Sequence, residues 1–214
     1  MIETRTYTEF RSSANPTDVL EAVEAEGAAA VKDFLPPYLL TRAATVLRTE
    51  QMYTDDNPLN EAVDRHHDLV QYGYSHEHPW PVAGGTGGYA PEPVFKAAQA
   101  MANYVNNAVD VEWAPNEIMG HNYNPGDYIR AHRDSARAVG YVAVLTLLGN
   151  GQEFHFINDL GQDVGVEMRP GTLTIMRGMR RGTDAKPRPR HWVTEAPEQR
   201  LAISLRHMVA KSWD

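Results

Sequence analysis

After residue 116 the chain changes character, and that change constrains its fold more than any other feature. "EIMGHNY", "YIRAHRD", "YVAVLTLLG", "QEFHFIN", "VGVEM", "TLTIMRG", "RHWVT" and "RLAISLRHM" are short runs rich in β-branched and aromatic residues. "NPGD", "GNG", "NDLGQD" and "RPG" separate several of them with turn chemistry. Eight short strands within about 90 residues, following helices, predict an antiparallel sandwich or barrel of jelly-roll type. The fold class expected is α+β, mainly β, with the N-terminal helices packed on the outside.

Those helices are legible from spacing. "NPTDVLEAVEAEG" places Val19, Leu20 and Val23 on one face, with Thr17 as the expected cap and Gly27 as the stop. "AAAVKDFL" predicts a short strand. "PPYLLTRAATVLRTE" and "PEPVFKAAQAMANYV" carry proline in the first turn and apolar residues at helical spacing. Between them, "DLVQYGYSHEHPWPVAGGTGGYAP" reads as a long ordered loop carrying a strand. One structural domain is expected: residues 1–30 as lead-in and helix, 31–116 as a helical and substrate-lid region, and 117–214 as the core.

Composition narrows the chemistry. With no cysteine among 214 residues, thiolate metal sites and disulfides are excluded, so any metal must sit on imidazole and carboxylate. No signal-peptide core or membrane-spanning run is present, so a cytoplasmic protein without membrane partners is expected. Net charge is −8, which argues against indiscriminate nucleic-acid binding. The acid is concentrated early: residues 1–119 hold 7 Lys+Arg against 18 Asp+Glu, and residues 120–214 hold 13 against 10. The arginines of the second part leave room for an anionic ligand.

His132 and Asp134 stand two apart just after the "NPGD" turn, and strand alternation would point both the same way. A mononuclear iron site needs two imidazoles and one carboxylate on one face, with positions left open. His191 in "RHWV" is the candidate third ligand; the plain alternative is a half-buried strand histidine. In "RLAISLR", alternation puts Arg200, Ala202, Ser204 and Arg206 on one face and Leu201, Ile203 and Leu205 on the other. Two arginines inside a barrel would be costly unpaired charges, and a small dicarboxylate between them would remove that cost. An exposed strand face is the alternative.

Taken together, "HNYNPGDYIRAHRD", "PGTLTIMRG", "RHWV" and "RLAISLR" resemble the AlkB-like branch of the Fe(II)/2-oxoglutarate-dependent dioxygenases, over roughly residues 30–208. The resemblance implies a double-stranded β-helix (jelly roll), with Fe(II) on His132, Asp134 and His191. It implies that Arg200 grips the distal carboxylate of 2-oxoglutarate, helped by Tyr123 and Ser204, and that Arg206 lies near the end that chelates iron. His121 stands where the family's 2-oxoglutarate-contacting asparagine is expected, and Ala202 replaces a second asparagine. The reaction implied consumes O2, decarboxylates 2-oxoglutarate to succinate and hydroxylates a C–H bond; on an N-methyl carbon it would release formaldehyde.

The substrate is left between classes. "YGYSHEHPWP" resembles the family's substrate-side loop, making Tyr74 and Trp80 candidates, with Arg133, Ser135 and Arg137 beside the H-x-D pair. Nucleobase-demethylating members carry a base-reading acid two residues after the metal aspartate; here that residue is Ala136. Ala136 and the net acidity favour a small molecule or metabolite. Nucleobases in nucleic acid are the alternative, supported by the arginines of "MRRGTDAKPRPRH", and a non-enzymatic jelly-roll binding module is the third reading. His76 and His78 have ligand-like spacing but read as a substrate-side lid. The pair at 66–67 reads as an ordinary polar element, and His155 is left open as facing the cavity.

Overall fold

A computed structural model describes residues 9–54, 65–73, 88–180 and 186–209. Helix α1 (Pro16–Glu26) is capped by Asn15, whose side chain accepts from Thr17 N at 3.1 Å. Proline at the first helical position moves the cap one residue ahead of it. Thr17, the expected cap, instead accepts from Val109 N through its hydroxyl. Gly27 ends the helix at φ 102°, a conformation that favours glycine. α2 (Pro37–Leu47) and α3 (Glu92–Asn106) follow the expected spans and bury Leu40, Ala43 and Leu47, and Val94, Ala97, Ala98 and Met101.

All eight expected strands form. They are β6 (Glu117–Tyr123), β7 (Tyr128–His132), β8 (Ala138–Leu148), β9 (Gln152–Ile157), β10 (Asp163–Met168), β11 (Leu173–Arg177), β12 (His191–Val193) and β13 (Arg200–Met208). Earlier in the chain lie β1 (Glu9–Arg11), β2 (Ala28–Lys32), β3 (Tyr53–Thr54), β4 (Arg65–His66) and β5 (Asp68–Gly73). They make two sheets, ordered β1-β2-β11-β8-β13-β6-β5-β3 and β10-β9-β12-β7-β4. Among the described residues every strand pairing is antiparallel except β1 with β2.

The larger sheet is buried on both faces. Ala143, Leu145, Leu147, Leu173, Ile175, Leu201, Ile203 and Leu205 join the helices in one core. Val142, Met176, Phe154, Phe156, Val166 and Val193 form a second core between the sheets. Period-two alternation therefore supplies both layers, and the inner face of β13 is left to line the space between sheets. Close approach of α2 depends on Gly120, where an added Cβ would lie 2.5 Å from Leu47 Cδ1 and 2.7 Å from Val70 Cγ1.

Candidate active site

His132 ends β7 and His191 begins β12, and the two are direct partners in the ladder. Two steps along β12, from His191 to Val193, oppose three along β7, from His132 to Ile129. This bulge resets the alternation of β7, so that Ile129 and His132 both line the cavity between the sheets. Asp134 lies beyond the strand, so strand alternation is not what aims it. A hydrogen bond from the Arg188 guanidinium to the Asp134 carbonyl holds this loop.

One ligand atom from each of His132, Asp134 and His191 lies within 4.8 Å of the others. His191 Nε2 is 3.8 Å from Asp134 Oδ2, and the two imidazole centroids are 4.3 Å apart. His132 Nδ1 contacts Arg130 O at 2.9 Å and His191 Nδ1 contacts Pro189 O at 3.2 Å. Carbonyls only accept, so each Nδ1 carries a proton and each Nε2 faces the cluster, where it presents a lone pair once deprotonated. Burial alone would raise the Asp134 carboxyl, but His191, Arg206, His132 and Arg188 together hold it below the ordinary carboxylate value.

The cavity beside this cluster, about 90 Å³, runs between Met, Val and Phe side chains to Arg200. Arg200 is 2% exposed. It donates to Gln152 Oε1 at 3.0 Å and Thr146 Oγ1 at 3.4 Å, and its guanidinium carbon lies 4.9 Å from the Tyr123 ring centre. Its Nε has no hydrogen-bond partner, and no carboxylate among the described residues pairs with it. Burial, opposed by Tyr123, weakens its hold on its proton. Gly149 fits against the same turn: a Cβ there would lie 2.8 Å from Arg200 Cα.

Arg206 differs. It lines the cavity with Ala202 and Ser204, as alternation predicts, but its Nε donates to Glu117 Oε2 at 2.6 Å. Arg206 and Glu117 are direct β13–β6 partners. The expectation of two arginines left for one dicarboxylate is thus corrected: the charge of Arg206 is already met within the fold.

His121 also lines the cavity, with Nε2 2.9 Å from Ser204 Oγ and Nδ1 3.1 Å from His67 Nε2. His67 stacks on Tyr123 with centroids 4.4 Å apart and planes 7° apart. Far from being an ordinary polar element, His67 is 3% exposed and lines the cavity. Its place follows from register: Asp68 pairs with Asn122, which sets His67 beside Tyr123. Spacing in the sequence carries no such signal.

The remaining candidates fall elsewhere. Arg133, Ser135 and Arg137 do not line the cavity: Arg133 Nε donates to Arg188 O, Ser135 Oγ accepts from Arg137 N, and Arg137 Nε donates to Val209 O. Tyr74, His76, His78, Trp80 and Arg181 lie outside the described residues. His155 is on the outer face of its sheet, stacked on Trp192 and bonded to Asp163 and Glu153, not on the cavity. Arg177 is buried against Asp159 at 2.6 Å, and Arg180 pairs with Glu24.

No protein-family model and no curated protein matches the chain. Solved structures do. A Pseudomonas putida prolyl-4-hydroxylase superposes with TM-score 0.68 at 18% identity, covering 92% of this chain and 100% of that one. A Trichoplax adhaerens prolyl hydroxylase, in complex with a peptide fragment of hypoxia-inducible factor, gives 0.68 at 13%, covering 90% and 88%. A Burkholderia pseudomallei oxidoreductase of the 2OG-Fe(II) oxygenase family gives 0.61 at 12%, covering 94% and 95%. The chain therefore has the jelly-roll fold of these oxygenases, with two histidines and an aspartate gathered between its sheets.

Proposed function

We propose that this chain is a Fe(II)/2-oxoglutarate-dependent dioxygenase of the AlkB-like branch that hydroxylates, or oxidatively demethylates, a small organic molecule or metabolite. The observation that carries this reading is the pairing, in one cavity, of a His132–Asp134–His191 cluster with a buried Arg200 that no carboxylate among the described residues neutralises. The branch rests on the run from Tyr123 through Gly126 to Asp134 and on "RLAISLR".

The donor set fits the metal. Two Nε2 lone pairs and one carboxylate, with no thiolate in the chain, suit a ferrous ion that keeps positions open. With 2-oxoglutarate and O2, such an ion supplies oxidation of a C–H bond, releasing succinate and CO2. The protein's own work is binding and exclusion. Arg200 meets a carboxylate with charge-assisted hydrogen bonds, Tyr123 walls the site, and Val142, Val144, Phe154 and Met176 keep water from it. Residues 117–214 act as the catalytic core and 31–116 as its helical and substrate-side covering, after the lead-in of 1–30, within one cytoplasmic domain. No helix among the described residues is long and apolar enough to cross a membrane.

The small-molecule reading gains support from the fate of the arginines. A phosphate track needs solvent-facing cations. Arg177 and Arg180 are instead paired with Asp159 and Glu24, and the half-buried Arg188 and Arg137 donate to the Asp134 and Val209 carbonyls, which leaves only Arg130, Arg133 and Arg190 of the described rim arginines exposed. Ala136 also offers no acceptor to a flipped base, which would lose about 1–3 kcal/mol. Succinate formation, measured with Fe(II) and 2-oxoglutarate across small metabolites, alkylated nucleotides and oligonucleotides, tests this. Small molecules should stimulate turnover most, and Ala136→Glu should raise activity on methylated bases selectively. Methylated oligonucleotides matching the best small molecule would overturn the substrate class, and no succinate under any condition would overturn the enzyme class.

A further inference from the structure

We infer that His67 is a positioning residue for the cosubstrate: with His121 it forms a directed hydrogen-bond relay that makes the Ser204 hydroxyl a donor toward a bound 2-oxo acid. This rests on the reading of the cavity given above. Two atom pairs define the relay, His67 Nε2 to His121 Nδ1 at 3.1 Å and His121 Nε2 to Ser204 Oγ at 2.9 Å, and the Ser204 side chain lines the cavity.

A neutral imidazole has one N–H and one lone pair, so the relay has only two polarities. In the first, His67 Nε2–H donates to His121 Nδ1, His121 Nε2–H donates to Ser204 Oγ, and the hydroxyl proton of Ser204 is left for the cavity. In the second, Ser204 donates to His121, His121 donates to His67, and Ser204 turns only lone pairs inward. An anionic oxygen in the cavity is attracted by the first and repelled by the second. Ligand binding therefore selects the tautomer with both histidines protonated on Nε2.

The need for such a donor follows from Arg206. Ser204 sits four residues along β13 from Arg200, about 13 Å at strand rise, and only two from Arg206. A 2-oxo acid held at Arg200 and extending toward the His132–Asp134–His191 cluster would pass Ser204, which lines the same cavity. At that end the charge of Arg206 is already met by Glu117, so a neutral donor gains weight. An amide at position 121 would carry donor and acceptor together. In an imidazole the two are split between opposite ring nitrogens, so which one faces Ser204 is tied to what the other meets at His67. The stacked array of His67, Tyr123 and His121, with centroids 4.4 and 5.3 Å from His67, holds the ring planes in place.

Two measurements test this. Long-range proton–nitrogen NMR of the Zn(II)-loaded protein with 2-oxoglutarate should show His67 and His121 as Nε2–H tautomers; an Nδ1–H tautomer at His121 in that complex would overturn the relay. Calorimetry with 2-oxoglutarate compares His67→Phe, which keeps a ring on Tyr123 but removes the donor, with His67→Gln, which restores an N–H. The first should weaken binding about 10-fold and the second by less than about 3-fold. Unchanged affinity in His67→Phe, while the wild type binds, overturns the relay alone. Absence of binding to the wild type overturns the class reading and the relay with it. If His67→Phe does not fold, the wild-type tautomers decide.

Discussion

His191 and His132 face each other across the β12–β7 ladder, their rings 4.3 Å apart, although a long stretch of chain separates them. Strand pairing brings these two imidazoles together. The β7 bulge at Arg130 and Ala131 then aims His132 inward.

Because strand pairing already places His132 and His191, the fold should survive truncation of either His132 or Asp134. His132→Ala and Asp134→Ala should each abolish turnover and weaken Fe(II) or Mn(II) binding more than about 100-fold. Circular dichroism should remain that of the wild type. Full turnover in either variant would remove the cluster from the mechanism.

Arg200 is a buried cation that no carboxylate among the described residues meets. Arg200→Ala should weaken 2-oxoglutarate binding by about 2–5 kcal/mol, and Arg200→Lys should recover only part, because a point charge cannot bind both carboxylate oxygens. In the ligand-free protein, Arg200→Met should not lower the melting temperature, since an apolar side chain replaces an uncompensated buried charge. Calorimetry and thermal melts separate the two effects; unchanged 2-oxoglutarate affinity in Arg200→Ala would refute the assignment.

Asp159 anchors the segment that leads to His191. It pairs with buried Arg177 at 2.6 Å and Lys186 at 3.1 Å, and Arg177 also donates to the carbonyls of Pro187 and Glu24. Burial opposes ionisation of Asp159, but hydrogen bonds from Arg177 and Lys186 overcome it and hold the carboxyl below its ordinary value. Its contribution is complete above the ordinary carboxylate range and is lost as pH falls through the lowered folded value. Asp159→Asn should cost about 1–2 kcal/mol near neutrality, less than a fully buried pair because Asp159 faces solvent and Arg177 keeps its carbonyl acceptors. Denaturant titrations should show that deficit shrinking toward acid pH; a deficit that grows on acidification would contradict the pairing.

Gly120 allows α2 to approach β6 and β5. Gly120→Ala drives a methyl into Leu47 and Val70 and should destabilise the protein by about 1–3 kcal/mol, read as a lower urea midpoint at constant slope. Pairing it with Leu47→Ala should recover part of the loss, because the two positions share one contact.

Much of this was legible in the residues themselves. Period-two patterning in "RLAISLR" assigned Leu201, Ile203 and Leu205 to one face and Arg200, Ala202, Ser204 and Arg206 to the other, and both faces are where alternation put them. Turn chemistry bounded the eight strands, because local sterics and hydrogen bonding act within a few residues. The metal-ligating types were likewise visible as His132, Asp134 and His191. Tertiary structure decided what depends on register between distant strands. It set Glu117 opposite Arg206 and cancelled that charge, placed His67 against Tyr123, and paired Arg177 and Arg180 with Asp159 and Glu24. A side chain's face is fixed by its own strand, but its partner is fixed by which strand packs beside it. That choice is made by the burial of both cores at once, and no short stretch of sequence contains it.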